Sequence, residues 1–183
     1  VQNDEGLVAC KVYKTLPARR VWDVIMASTY DFAEPGFVLI DKVNEMNNNW
    51  FCENIRATNP CGEQPLPPYG SCLLGSINLA RLVKNPFTEV AALDEDELAD
   101  LVAVAVRMMD NVVDVSKFPL EAQRAEAQAK RRIGLGVTGL ADALLMLGLR
   151  YGSEEAAAQT EAWMKAIARA AYLASVDLAK EKG

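Results

Sequence analysis

The sequence contains no histidine. Histidine is the base in Ser-His and Cys-His catalytic pairs and a common metal ligand, so its absence excludes those mechanisms and His-based metal sites. Any acid–base chemistry in this chain must therefore use Asp, Glu, Lys, Tyr or Cys side chains.

Cysteine is scarce and irregularly spaced. The chain has four cysteines, at Cys10, Cys52, Cys61 and Cys72. The close cysteine pairs of zinc sites are missing, so we expect no metal centre. Cys10 and Cys52 fall in apolar stretches and are predicted to be buried small hydrophobic residues.

The sequence also lacks a secretory signal and any run of about 18 apolar residues, so we expect a soluble cytoplasmic protein without membrane contact. The net charge of −6 argues against binding a nucleic acid polymer. One phosphorylated small molecule would need only a local cluster of donors. With 183 residues, 51% of them apolar, the chain can bury one core.

Hydrophobic periodicity predicts a helix-rich α/β fold. Asp94 and Glu97 resemble a capping box that opens a long helix, and Ser153 is a candidate cap for the last helix. Helices are predicted for residues 15–36, from 94 onward, 139–149 and from 153 onward, and short strands for residues 37–41, 53–58 and 131–137. Residues 76–83 are predicted to be a strand that runs into a helical turn.

The segment GLGVTG places Gly134, Gly136 and Gly139 in the G-x-G-x-x-G spacing of a dinucleotide fingerprint. The acidic residues about 20 positions later, Glu154 and Glu155, open a helix instead of ending a second strand. We therefore favour a tight strand-to-helix turn, and a nucleotide-binding module remains the alternative.

The stretch ATNPCGEQPLPPYGSC, residues 57–72, combines two cysteines with four prolines. Residues two apart on an extended backbone point to the same side, so Asn59, Cys61 and Glu63 could converge on one small ligand. Prolines would stiffen the loop, and Gly62 would allow a close approach. Spacing alone leaves open a surface turn with a stray cysteine.

The segment NPCGEQPLPPYGSCLLGSINL resembles the active-site finger loop of ribonucleotide reductase large subunits, most closely the adenosylcobalamin-dependent class II enzymes. YDFAEPGFVLIDKVNEMNN and RRIGLGVTGLADALLMLGLRY resemble the segments before and after that loop. The resemblance implies that residues 1–183 are a single fragment of the catalytic barrel domain. That domain is a ten-stranded α/β barrel, and its finger loop would correspond to residues 59–72.

The same resemblance implies a role for each candidate residue. Cys61 matches the cysteine that becomes a thiyl radical and abstracts the 3′ hydrogen of the ribose. Glu63 matches the carboxylate that takes the 3′-hydroxyl proton, and Asn59 the amide that orients the sugar hydroxyls. Cys72 matches one of two cysteines that supply electrons and end as a disulfide, and its partner cysteine is absent from this chain.

The function implied is reduction of ribonucleotides to 2′-deoxyribonucleotides for DNA synthesis, with adenosylcobalamin as cofactor. No cobalamin-binding residue is identifiable. The implied partners are a ribonucleotide substrate, a thioredoxin-like or dithiol reductant, the rest of the reductase chain and a second copy in a homodimer. Because the phosphate-binding segments and the C-terminal cysteines are missing, we expect the chain alone to lack turnover.

Three alternatives remain at this stage. The chain could belong to a class I reductase, which depends on a di-metal radical subunit and shares the Asn, Cys and Glu arrangement of the site. The chain could instead be a non-catalytic nucleotide-binding module built on GLGVTG. It could also be a structural or regulatory fragment that assembles with a partner chain.

Overall fold

A computed structural model describes residues 9–182 together with residues 2, 3, 6 and 7. Contacts divide the chain into two compact units, Val1–Pro68 and Tyr69–Gly183. This boundary falls inside the predicted finger loop, and the assignment to a single barrel-domain fragment stays a prediction. In the part of the chain described, no helix combines the length and apolar character needed to cross a membrane.

The first unit contains short antiparallel strand pairs and two helices. Strand β1 pairs with β2, and β3 pairs with β4. The bounds are β1 Gln2–Asn3, β2 Gly6–Leu7, α1 Ala18–Phe32, α2 Ile40–Glu45, β3 Ala57–Thr58 and β4 Pro65–Leu66.

Helix α1 confirms the predicted first helix. Pro17 precedes it in an extended conformation, where its missing N–H costs no helical hydrogen bond. Ala33 ends the helix in the left-handed region and donates its N–H to the Thr29 carbonyl at 2.9 Å. The helix buries no residue, although its apolar side chains lie on one face.

Of the two strands predicted before the loop, the first is absent and the second is shorter than expected. Residues 37–41 form no strand, because helix α2 begins at Ile40 and residues 37–39 are exposed. The second predicted strand is reduced to β3. The Asn44 side chain explains this, because it accepts the Ile55 N–H at 2.7 Å and donates to the Ile55 carbonyl at 2.9 Å. Both backbone groups that a partner strand would need are therefore occupied.

The second unit contains most of the helices and one parallel strand pair. Its elements are β5 Leu73–Asn78, a 3-10 turn Leu79–Leu82, β6 Val83–Lys84, β7 Ala92–Leu93, α3 Glu95–Val115, α4 Glu121–Lys130, β8 Ile133–Thr138, α5 Leu140–Met146 and α6 Glu154–Lys182. The predicted strand and turn at 76–83, and the helices beginning near 94, 139 and 153, are confirmed.

Strands β5 and β8 pair in parallel, from Leu73 opposite Ile133 to Asn78 opposite Thr138. The chain between them forms a crossover that includes α3, as parallel pairing requires. Helices α3 and α6 pack together, and α3 also packs on both strands. Trp163 at 1% exposure and Leu79 at 0% lie in the core they enclose. Every sheet among the described residues has two strands, so these residues form no closed barrel.

Helix α3 begins as predicted. Asp94 caps it by accepting the Glu97 N–H at 2.9 Å. Glu97 does not complete the reciprocal capping box, because its carboxylate accepts from Lys84 Nζ at 3.0 Å. The buried face of α3 includes Val102, Val106 and Met109, whereas Leu101 remains 40% exposed.

A buried carboxylate joins three helices of the second unit. Asp110 on α3 is 7% exposed and accepts from Arg131 Nε at 2.6 Å and Nη2 at 2.9 Å. Lys182, at the end of α6, also donates to Asp110. The hydrogen bond from Arg131 is the main cause that holds the pKa of Asp110 below its ordinary value, and Lys182 adds to it. Arg131 caps the C-terminus of α4, a helix that the sequence analysis did not predict.

We predict that Asp110→Asn destabilises the chain by about 3 kcal/mol at pH 7, because it neutralises one member of a buried ion pair. A carboxyl group with a lowered folded pKa stabilises the fold above its unfolded pKa of about 3.9, and that stabilisation is lost as the pH falls through the folded value. The difference between wild type and Asp110→Asn should therefore shrink between pH 5 and pH 2. Urea unfolding across that range measures it.

Asp177→Asn is the matched control, because Asp177 is 71% exposed and pairs with Lys180 one turn away. Its effect should stay below about 1 kcal/mol at every pH. Equal losses for the two variants would contradict a structural role for the buried pair.

Candidate active site

The candidate loop is the connection of a small β-hairpin. Two backbone hydrogen bonds extend the pairing of β3 with β4. Arg56 donates its N–H to the Leu66 carbonyl at 3.1 Å, and Asn59 donates its N–H to the Gln64 carbonyl at 3.2 Å. Residues 59–64 form the tip. Gly62 has φ +85° and donates its N–H to the Asn59 carbonyl at 3.0 Å. This left-handed turn favours glycine.

The Asn59 side chain fixes the two sides of the tip. Its Oδ1 atom accepts the Gln64 N–H at 2.9 Å, and its Nδ2 atom donates to Glu63 Oε1. Because Oδ1 is held by a backbone donor, the amide must direct its NH₂ group toward the carboxylate. Glu63 is thereby held by a neighbouring amide at the surface of the loop.

Cys61 occupies the tip between these residues and is an exposed thiol. The structure brings Asn59 and Glu63 together as the sequence analysis expected, but by another geometry. Residues 60–63 form a turn and a bend rather than an extended strand. The amide and carboxylate meet because the chain reverses direction at Gly62, and the two-residue alternation of a strand does not apply.

Cys72 belongs to the second unit and immediately precedes β5. It is partly buried, and its Sγ atom lies 3.6 Å from the Leu73 carbonyl. Cys72 also lines a pocket of about 200 Å³. The other lining residues are Ser71, Leu73, Val113, Ser116, Phe118, Ala127 and Arg132. A partly buried thiol beside an open pocket is accessible to a small reagent, unlike a cysteine packed in the core.

The GLGVTG segment is a strand followed by a strand-to-helix turn. Gly134 and Gly136 lie within β8, and Gly139 precedes α5 with φ +67°. A Cβ atom at Gly139 would lie 2.5 Å from Asn78 Oδ1, so no larger residue fits without movement. Close packing against the end of β5 therefore explains the last glycine.

Two cysteine predictions are wrong. Cys10 and Cys52 were expected to be buried, and both are exposed. Cys52 lies in a turn, where its Sγ atom is 3.6 Å from the Asn49 carbonyl, so the adjacent Trp50 and Phe51 do not bury it. Among the described residues, no three acidic or cysteine side chains stand close enough together to hold a metal ion.

Asp110 and Arg131 were not predicted from the sequence. The signal was an aspartate at a core position of α3, between the buried residues Val106 and Val113. A buried carboxylate requires a cationic partner, but the partner is 21 residues away and cannot be identified from spacing.

Comparison with known proteins identifies the family. The family model described as "Ribonucleotide reductase, barrel domain" matches residues 3–183. The chain therefore belongs to the ribonucleotide reductase barrel-domain family, and the resemblance seen in the sequence is confirmed.

Two similar relatives are named "Vitamin B12-dependent ribonucleoside-diphosphate reductase". The one from Mycobacterium tuberculosis strain CDC 1551 is 43% identical over 173 residues, which cover 94% of this chain and 24% of the relative. The one from Thermoplasma acidophilum is 41% identical, with 94% and 22% covered. The "Ribonucleoside-diphosphate reductase subunit alpha" of Chlamydia pneumoniae is 33% identical over 177 residues, 94% of this chain and 16% of the relative. The chain thus spans about a quarter or less of these relatives' length.

We predict that Asn59→Ala loosens the hairpin tip, because it removes the acceptor of the Gln64 N–H and the donor to Glu63. Hydrogen exchange of the Gln64 amide should accelerate about fivefold, as expected when a hydrogen bond worth about 1 kcal/mol is lost. Asn47→Ala is the control, because it removes an Asn–Glu contact elsewhere in the same unit. Unchanged exchange at Gln64 in Asn59→Ala would contradict the described tip.

We predict that Gly139→Ala destabilises the second unit much more than Gly148→Ala. Both glycines have positive φ, at +67° and +75°, so both variants lose about 1 kcal/mol to backbone strain. Only Gly139 is also crowded, because a Cβ at Gly148 meets nothing within 4 Å. Gly139→Ala should cost about 2 kcal/mol more in thermal or urea unfolding. Equal costs would show that β8 and α5 tolerate a side chain there.

Proposed function

We propose that the chain is a central segment of the catalytic subunit of an adenosylcobalamin-dependent ribonucleoside-diphosphate reductase. One observation carries the proposal: a glycine-turned hairpin presents the exposed Cys61 thiol beside the hydrogen-bonded pair Asn59 and Glu63. The names of the relatives at 41–43% identity support the diphosphate substrate and the cobalamin cofactor. The lower identity to the Chlamydia subunit favours this class over a class I enzyme.

In the first half of the reaction, each of the three tip residues has a separate role. Cys61, once converted to a thiyl radical, takes the 3′ hydrogen atom of the ribose and later returns it. Glu63 accepts the proton of the 3′ hydroxyl, which helps the 2′ hydroxyl leave as water. A carboxylate can serve as this base without any histidine. Asn59 orients the carboxylate and donates to the sugar hydroxyls.

Cys72 supplies reducing equivalents in the second half. Replacing the 2′ hydroxyl by hydrogen consumes two electrons and two protons, which two thiols provide as they form one disulfide. Cys72 is one of these thiols, and the other comes from a segment of the enzyme outside these 183 residues. A thioredoxin-like protein or another dithiol then reduces the disulfide.

Adenosylcobalamin, when bound, supplies the initiating radical by homolysis of its cobalt–carbon bond. We assign none of this chain's residues to holding it, and the chain has no histidine that could ligate cobalt. One observation fits the cofactor. The Cys61 thiol is exposed at the hairpin tip, where an external radical can reach its hydrogen atom.

The parent domain is proposed to be the ten-stranded barrel that the family resemblance implies. The parallel β5–β8 pair supports this, because parallel strands belong to larger sheets covered on both faces. Exposed apolar residues on α6, including Tyr172 at 71% and Leu173 at 55%, offer surface for the rest of the enzyme. The full-length subunit is proposed to form a homodimer in the cytoplasm.

The test is Cys61→Ser in the full-length subunit. We expect deoxynucleotide formation to fall below about one-thousandth of wild type, because a serine hydroxyl does not form the radical. Nucleotide binding, measured by equilibrium dialysis, should be retained. Cys52→Ser, at another exposed cysteine of the same unit, should retain activity.

Substantial product formation by Cys61→Ser would show that the radical role is misassigned. Turnover by the isolated 183-residue chain, supplied with adenosylcobalamin and a dithiol, would show instead that the missing segments are dispensable.

A further inference from the structure

Arg131 is held by its backbone and by its side chain at the end of α4. It adopts a left-handed conformation with φ +47°, which is costly for a residue other than glycine. Its N–H donates to the Ala127 carbonyl at 2.8 Å, and its guanidinium donates to the carboxylate and the backbone carbonyl of Asp110. Asp114 adds a contact at 2.7 Å to Nη2. These contacts join the end of α4 to α3.

The next residue connects Arg131 to the backbone beside Cys72. Arg132 follows Arg131 directly, and its carbonyl accepts the Leu73 N–H at 3.4 Å. Leu73 is the first residue of β5 and the neighbour of Cys72 in the chain. A shift of Arg131 would therefore displace the first backbone contact that holds the Cys72 end of β5.

The contacts between Arg131 and Asp110 also join the elements that line the pocket beside Cys72. Val113 and Ser116 come from the C-terminal end of α3, Ala127 comes from α4, and Arg132 precedes β8. Asp110 lies one turn before Val113, and Arg131 adjoins Arg132, so their ion pair joins the parts of the chain that supply these lining residues. The pair thus constrains the backbone that contacts Leu73 and the relative positions of the elements that line the pocket.

We propose that Arg131, acting through Asp110, is a positioning residue for the redox chemistry of Cys72. The proposal rests on the proposed function, because it takes Cys72 to be a thiol that supplies electrons. Arg131 sets the position and accessibility of the thiol through the junction between α4 and β8.

The test measures iodoacetamide alkylation of Cys72 and of Cys61 in the full-length reduced enzyme, by mass spectrometry of the two cysteine peptides. Arg131→Met should change the ratio of the Cys72 rate to the Cys61 rate by about threefold or more, because the local environment controls thiol reactivity. The kcat should fall about tenfold while KM changes less than about twofold, because substrate binding is retained and geometry is lost.

Two variants separate positioning from general stability. Arg131→Lys can still form an ion pair with Asp110. Unlike Arg131→Met, it should keep the alkylation ratio within about twofold of wild type. Arg107 lies on α3, the helix of Asp110, and forms a bidentate but exposed pair with Glu181 of α6. Arg107→Met removes that pair and should leave the ratio and kcat unchanged. If Arg131→Met does not fold, Asp110→Asn takes its place, with the same ratio expected.

A lower melting temperature with an unchanged ratio and unchanged kcat in Arg131→Met would overturn the proposal, because the arginine would then serve stability alone. Failure of the proposed function would be visible separately. In that case Cys72→Ser would retain turnover, or the wild-type enzyme would form no deoxynucleotide, whatever the alkylation ratio.

Discussion

The parallel pairing of β5 with β8 is the constraint on which the second unit depends. Two strands that run in the same direction need a long crossover, and here the crossover supplies α3, which covers the pair and fills the core with α6. At one end of the pair, Gly139 must pass close to Asn78 before α5 begins. At the other end, the first contact places Arg132 beside Leu73, next to Cys72. One register therefore fixes the core, the glycine turn and the surroundings of a candidate redox thiol.

The candidate radical site follows from a different and more local constraint. A six-residue hairpin connection must reverse the chain, and Gly62 supplies the left-handed conformation that makes this possible. The reversal brings the Asn59 amide to the Glu63 carboxylate and leaves Cys61 exposed at the tip. In a chain without histidine, a carboxylate oriented by a fixed amide is a reasonable base, because its position is set before substrate arrives.

Much of the second unit could be predicted from the sequence, because its signals are local. Asp94 and Ser153 cap helices as their types suggest, with Glu97 and Ala156 N–H groups as donors. The failures were non-local. Residues 37–41 read as a buried strand, yet no partner strand covers them, and the Asn44 side chain blocks the pairing of Ile55. The Arg131 contact to Asp110 spans 21 positions, so no periodicity could reveal it. The candidate site was recognised through its resemblance to a known motif. Strand alternation could not have located it correctly, because Asn59 and Glu63 meet across a turn and not along an extended strand.

The apolar surface left on both units gives a physical reason to connect the fold with a larger enzyme. Helix α1 has a clear apolar face but buries no residue, and Val21, Trp22 and Val24 are 40%, 49% and 63% exposed. Complete burial contributes about 1.5–3 kcal/mol for a fully exposed side chain of this kind, so covering these half-exposed residues would add about 1 kcal/mol each. The two-stranded parallel sheet likewise has unpaired edges that other strands could complete. If other segments cover these surfaces, as the proposed function requires, the docking energy of those segments also orders the hairpin that presents Cys61 and, separately, the strand that follows Cys72.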